Sequence, residues 1–214
     1  MRRTRIKICG ITREEDLHCA VAAGADAIGL VFYERSPRHV DAARAAALVA
    51  RLPPFVSSVG LFVNAPASAV DTVLATLPLQ LLQFHGDEDE AYCAAFGLPY
   101  IKVARVRPGL DLLEYAASFA SARALLLDAH VDSYGGSGKT FDWSLIPAGL
   151  PLPLVLSGGL HPGNVAAAMA AVGPWAVDVS SGVEAAPGIK DAEKIARFVV
   201  EVRKADATNR LPVA

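Results

Sequence analysis

The sequence predicts a single-domain α/β fold, a closed (β/α)8 barrel, on three observations. Its length and composition suit one core, eight short apolar runs recur along it, and helix punctuation fills the intervals. The 214 residues are 53% hydrophobic and 20% charged, a balance that suits one globular domain of ordinary burial and implies no second one. The domain is expected over residues 1–204, with 205–214 as a flexible C-terminal tail.

The apolar runs are RIKICGI (5–11), AIGLVF (27–32), VSSVGLFV (56–63), QLLQFHG (80–86), YIKVARV (100–106), ALLLDA (124–129), PLVLSGG (153–159) and AVDVSSG (176–182). Each is short and largely apolar, and most carry β-branched residues, as expected of parallel strands buried on both faces. Between them, Thr12 and Glu15 have the spacing of a capping box, and Gly24 is placed to end that helix. Asp41 precedes an alanine-rich helix stopped by Pro53-Pro54, and Pro162 opens a helix closed by Gly173-Pro174. The sixth helix is the weakest, since DWSLIP (142–147) is short and ends at a proline. Eight βα units fit a small TIM barrel, whereas a doubly wound sheet usually needs five or six strands.

Charge and cysteine usage narrow the function. A net charge of -2 leaves no basic surplus for nucleic acid, and the five histidines have no metal-ligand spacing. No metal, nucleic acid or membrane partner is expected; the partner is a small molecule, and the chain a monomer or weak homodimer. No stretch approaches the roughly 18 apolar residues that span a bilayer, and the opening Met1-Arg2-Arg3-Thr4-Arg5 lacks the apolar region of a secretory leader. The cytoplasm is therefore the expected compartment, and the three cysteines, Cys9, Cys19 and Cys93, an odd number in no CxxC pattern, speak against a disulfide framework.

Strand parity then predicts which side chains face the barrel interior. If Cys9 points to the axis at its rim, Lys7 does so one layer below, while Ile6 and Ile8 pack under helices. The same parity pairs Asp128 with Leu126, His85 with Gln83, and Asp178 with Ser180. Polar groups thus converge at the carboxyl ends of strands 1, 4, 6 and 8, the face where such barrels place their active sites. A thiol and a carboxylate so placed make an acid/base pair. A lone Lys7 ammonium is costly to bury and requires an anion, and Asp178 on the adjoining eighth strand is the nearest candidate. Such a pair holds a cation near Cys9 and makes Lys7 a supporting activator of the thiol.

The glycine- and serine-rich turns LSGGL (156–160) and VSSGVE (179–184) follow strands 7 and 8. Gly158, Gly159, Ser180, Ser181 and Gly182 let backbone N–H groups approach an anion closely, where this fold recurrently binds phosphate. GGSGKT (135–140) invites a nucleotide-binding reading, but a P-loop needs glycine where this chain has Ser133, and a long helix afterwards. The stretch from His130 to Thr140, with Gly135, Gly136, Gly138 and Lys139, reads better as a lid over the site. Cys19 and Cys93 lie in helical segments as ordinary small buried side chains. His18, His39 and His161 have no companions that suggest ligation. Arg38 differs, because SPRHV (36–40) follows strand 2 closely and overhangs the same rim.

Taken together, KICGIT, GLVF followed by SPRHV, QFHG, LLLDA, GGSGKTFDW, LSGGLHPGNV and VDVSSGVE resemble the phosphoribosylanthranilate isomerase family across nearly the whole chain. One small departure is Phe84, where leucine is commoner. The resemblance implies a cofactor-free isomerase of tryptophan biosynthesis. Its reaction is an Amadori rearrangement of N-(5-phosphoribosyl)anthranilate to 1-(2-carboxyphenylamino)-1-deoxyribulose 5-phosphate. It implies Asp128 as general acid, Cys9 as general base and Arg38 as the clamp on the anthranilate carboxylate. It places the phosphate on Gly158, Gly159, Ser180 and Ser181, with His85 and Asp178 as supporting polar groups. A thiol of ordinary pKa about 8.5 is only about 3% thiolate at pH 7, so the base must be activated. The acid faces the opposite demand, since it must hold a proton in order to donate one. The isomerase of histidine biosynthesis performs a related step, but its two rim aspartates are not met here, where the first strand ends in Cys9. Cys9 and Asp128 on one rim also argue against a binding-only barrel.

Overall fold

The computed structural model describes residues 3–129 and 140–208. Eight parallel strands close into a barrel in chain order: β1 (Arg5–Cys9), β2 (Ala27–Val31), β3 (Ser57–Phe62), β4 (Leu81–Phe84), β5 (Tyr100–Val106), β6 (Ala124–Ala129), β7 (Leu154–Leu156) and β8 (Ala176–Val179). Each lies within an expected apolar run. The barrel closes where β1 pairs with β8, in a register that sets Lys7 opposite Asp178.

The helices are α1 (Glu14–Ala23), α2 (Ala42–Val49), α3 (Ala67–Thr76), α4 (Glu90–Ala94), α5 (Leu112–Ala117), α6 (Val165–Val172) and α7 (Ala192–Thr208). Gly24 ends α1 with φ 97°, and Gly173 ends α6 with φ 60°, the left-handed caps that glycine adopts without a Cβ clash. Asp41 caps α2 by accepting from the Arg44 amide. The capping box of α1 does not form. Arg13 is its N-cap and makes no side-chain cap bond, because the Thr12 hydroxyl donates instead to the Gly188 carbonyl at 2.6 Å. In the sixth unit a 3₁₀ turn, Trp143–Leu145, stands where an α-helix was the weakest expectation. α7 runs on to Thr208, past the expected domain edge at 204, with Val202 still buried along its inner face.

Parity separates two layers of core, as period-2 alternation requires. Ile6, Ile8, Leu30, Leu82, Phe84, Leu156 and Val177 pack outward beneath the helices. Ile101, Val103, Leu126 and Val155 fill the lower barrel interior. Arg5 closes the floor by stacking its guanidinium over Trp175, 3.9 Å from the ring centre. After β8 the chain makes a small antiparallel hairpin, β9 (Glu184–Ala186) and β10 (Ile189–Lys190), outside the barrel sheet. Among the described residues no helix is long and apolar enough to cross a membrane.

Candidate active site

Cys9 ends β1 and is buried against Val31, Leu61 and Val63 at the upper end of the interior. Its register partner on β2 is Gly29. A Cβ on Gly29 would lie 2.7 Å from the thiol sulfur and 3.2 Å from the Lys7 side chain, so both side chains need the space that glycine leaves. A glycine inside an apolar strand signals such a close approach. Below Cys9, Lys7 donates to Asp178 Oδ1 at 2.8 Å, and Ser157 donates to Asp178 Oδ2 at 3.3 Å. The expected pair is therefore present, and both Asp178 oxygens are engaged within the protein, which leaves it a partner of Lys7 first.

Burial opposes the Lys7 charge, but the Asp178 carboxylate and the Cys9 sulfur outweigh it and hold the ammonium above its ordinary value. For Cys9 the balance tips the other way. Burial raises the thiol, Lys7 and Lys190 pull it down, and Asp178 adds to the rise, so the thiol lies above its ordinary value.

Across the rim, Asp128 is the penultimate residue of β6, and its Oδ1 accepts from the Ala129 amide at 2.9 Å. His85 Nε2 lies 3.2 Å from Asp128 Oδ2, although the ring nitrogen is not aligned for a hydrogen bond. Gly158, with φ 81°, packs against the same carboxylate: a Cβ there would meet the Ala129 nitrogen at 2.6 Å and Asp128 Oδ1 at 3.2 Å. Arg105, unmarked in the sequence reading, stands opposite Asp128 in the β5–β6 register and reaches Asp87 at 2.8 Å. The lid residues Gly135, Gly136, Gly138 and Lys139 lie outside the described residues.

The turns after β7 and β8 pack on each other. A Cβ on Gly182 would overlap the Leu160 carbonyl oxygen, so the two turns meet at a distance only glycine permits. Asn164 fixes the first turn by donating to the Gly159 carbonyl at 3.0 Å and accepting from the His161 amide at 2.8 Å. Ser180 accepts from Lys190 through its carbonyl at 3.2 Å and its hydroxyl at 3.4 Å. Ser181 opens a one-turn 3₁₀ segment to Val183.

Arg38 crosses the start of the β1–α1 loop. A Cβ on Gly10 would meet its Cδ at 2.6 Å and Ser180 Oγ at 3.2 Å, which places Arg38 between Cys9's neighbour and the β8 turn. It is buried, with Nε and Nη2 donating to Glu184 Oε1 and Oε2, each at 2.8 Å. Lys190 donates to the same Oε1 at 2.8 Å. Burial alone would raise the Glu184 carboxyl, but Arg38 and Lys190 outweigh it and hold the group below its ordinary value. Burial lowers Lys190 despite the attraction of Glu184. Glu184 stood in the sequence only as the last residue of VSSGVE, and Lys190 carried no signal of its own.

A model of the N-(5'-phosphoribosyl)anthranilate (PRA) isomerase family matches residues 6–201. The chain belongs to the phosphoribosylanthranilate isomerase family. A Dechloromonas aromatica N-(5'-phosphoribosyl)anthranilate isomerase is 64% identical over 95% of this chain and 98% of its own. One from Leptothrix cholodnii is 62% identical over 96% and 93%. Among solved structures, the isomerase of Thermotoga maritima superposes with TM-score 0.85 at 44% identity, covering 94% of this chain and 99% of that one. Another isomerase of the family, solved in complex with reduced 1-(o-carboxyphenylamino)-1-deoxyribulose 5-phosphate, has TM-score 0.82 at 41% identity over the same shares.

Proposed function

We propose that Asp128 and Cys9 are the acid and base with which this phosphoribosylanthranilate isomerase converts N-(5-phosphoribosyl)anthranilate to 1-(2-carboxyphenylamino)-1-deoxyribulose 5-phosphate in tryptophan biosynthesis. The observation that carries the reading is their placement. Both stand at the carboxyl ends of their strands on the same rim, flanking the paired glycine turns of β7 and β8. Asp128 gives its proton to the furanose ring oxygen, the ring carbon–oxygen bond breaks, and the anthranilate nitrogen's lone pair forms the Schiff base. Cys9 then takes the proton from ribose carbon 2, and the electron pair released makes the enolamine, which tautomerises to the ketone. No cofactor enters this proton bookkeeping.

The substrate carries two anions, and the rim offers a place for each. The backbone around Gly158, Gly159, Ser180, Ser181 and Gly182 suits the phosphate. Arg38 suits the aromatic carboxylate: Glu184 occupies Nε and one proton of Nη2, which leaves the edge made by Nη1 and the other Nη2 proton for a second carboxylate. His85 supports Asp128 from the loop that follows β4, and Asp178 supports Lys7. The reading further takes the chain as a monomer or weak homodimer in the cytoplasm, where free cysteines such as Cys9, Cys19 and Cys93 suit a reducing medium.

The test is direct. Purified protein added to freshly generated phosphoribosylanthranilate is expected to consume its anthranilate fluorescence at a rate proportional to enzyme. Loss no faster than in buffer would overturn the activity. Arg38→Lys is expected to raise KM by about 10- to 100-fold while kcat stays within a few-fold, because an ammonium cannot reproduce two parallel bonds to a carboxylate. Equal binding by the parent of product analogues with and without the carboxylate would remove Arg38 from this role.

A further inference from the structure

Beside the acid/base pair lies a buried polar chain, of which Lys190 alone acts on the Cys9 thiol. It runs from Arg38 to Glu184 to Lys190 to Ser180, with contacts of 2.8 Å at each side of the carboxylate and 3.2 Å from Lys190 to the Ser180 carbonyl. One end is the clamp for the aromatic carboxylate, and the other is the turn for the phosphate. Its two central members sit on the β9–β10 hairpin, which follows the eighth strand and adds nothing to the barrel sheet.

A guanidinium can present several edges to an anion, and a long flexible stem lets it choose among them. Here Glu184 removes that choice by taking the Nε edge in both contacts. Lys190 in turn fixes Glu184 Oε1 relative to the β8 turn. We propose that Glu184 is a positioning residue that sets which edge of Arg38 meets the substrate and, through Lys190, the separation between the carboxylate clamp and the phosphate turn. The hairpin thereby acts as a gauge for the length of a ligand with an anion at each end. This rests on the substrate reading given above.

The hairpin is held independently of Arg38. Thr12 donates to the Gly188 carbonyl at 2.6 Å, the Lys190 amide donates to Asp16 at 3.1 Å, and Lys194 donates to the Glu184 carbonyl at 2.7 Å. Removing the Glu184 charge therefore leaves the hairpin backbone anchored while the guanidinium loses its guide. The cluster of Arg38, Lys190 and Glu184 also carries one more cation than anion, and a buried surplus of this kind is relieved by an anionic ligand.

The test compares inhibition constants of two reduced product analogues, one with the ring carboxylate and one without, and of inorganic phosphate. In the parent the carboxylate should improve binding by about tenfold or more. In Glu184→Gln that preference should fall to about twofold, with inorganic phosphate within about threefold of the parent and KM raised more than kcat is lowered. Glu184→Asp keeps the charge but withdraws the fork by one methylene, and should restore part of the preference. The loss should vanish when Glu184→Gln is added to Arg38→Lys, since one residue acts through the other. A Glu184→Gln protein that keeps the parent's preference overturns the proposal. So does an equal loss for both analogues and phosphate, which would make Glu184 structural only. If Glu184→Gln does not fold, Glu184→Asp carries the same comparison: an undiminished preference there also overturns it. A parent with no preference between the analogues instead overturns the Arg38 clamp beneath it, so the two failures are distinct.

Discussion

Asp128→Asn is expected to lower turnover by about a thousandfold, because a side-chain amide cannot donate a comparably acidic proton to the ring oxygen. The change is nearly isosteric. An asparagine oxygen can still accept from the Ala129 amide, as Oδ1 does at 2.9 Å, and the space kept open by Gly158 is unaltered. Ligand binding through the phosphate should therefore persist, measured as an inhibition constant for the reduced product analogue within a few-fold of the parent. Turnover within tenfold of the parent would end the assignment of Asp128 as the acid. His85, close to Asp128 but not aligned as its donor, is the alternative that such a result would bring forward.

Lys7→Met is the second large effect. With the ammonium gone, the thiol loses the cation that lowers it most while the Asp178 carboxylate remains beside it, and thiolate becomes harder to form. The alkylation rate of Cys9 as a function of pH should therefore rise at higher pH than in the parent, by about one unit or more, given that a unit charge about 4 Å away contributes several kcal/mol at an effective dielectric near 20. The sign for activity follows. The base acts as thiolate, so below the thiol pKa each unit of upward shift costs about tenfold in turnover at fixed pH. The measurement is best made with Cys19, which is partly exposed, replaced by alanine; burial pushes Cys93 up to about 12, and it stays silent. Removing one partner of a buried pair typically costs about 3–5 kcal/mol of stability. Lys7→Met with Asp178→Asn is therefore the companion variant if the single change does not fold. An unchanged thiol pKa in a folded Lys7→Met protein would leave Lys7 a purely structural plug.

The residues at the centre of the site were legible because their placement depends on local geometry repeated eight times. Alternation along a pleated strand is a property of the backbone, so RIKIC alone places Arg5, Lys7 and Cys9 on one face and Ile6 and Ile8 on the other. Closure of the barrel adds one neighbour, β8 beside β1, and with it Asp178 at the level of Lys7. The glycine turns were legible for a similar reason, since a residue without Cβ in LSGG or SSGV announces close approach whatever it approaches.

Other features depend on partners far apart in the chain. The capping box of Thr12 and Glu15 is a local pattern that lost to a competitor distant in the chain, the Gly188 carbonyl 176 positions away. Arg38 and Glu184 are separated by 146 positions, and the hairpin that joins them adds no strand to the barrel. Glu88, which accepts from the Asn64 and Gly86 amides and pairs with the fully buried Lys102, organises the loop that carries His85 in the same unannounced way. A charged side chain reads as solvated until its partner is known, because burial of an ion becomes tolerable only when the opposite charge arrives with it.

By itself, then, the sequence determined the eight βα units, the parity that aims Lys7, Cys9, Leu126 and Asp128 inward, the glycine turns and the family. Those rest on backbone periodicity and on steric limits that act over a few residues. Only the tertiary structure decided that Arg38 is held by Glu184, that Lys190 ties that carboxylate to Ser180, that Gly29 makes room for the thiol, and that the sixth unit has no α-helix among its described residues. Each of these is a contact between segments whose meeting is fixed by closure of the barrel and packing at its rim, and no local pattern carries the distance between them.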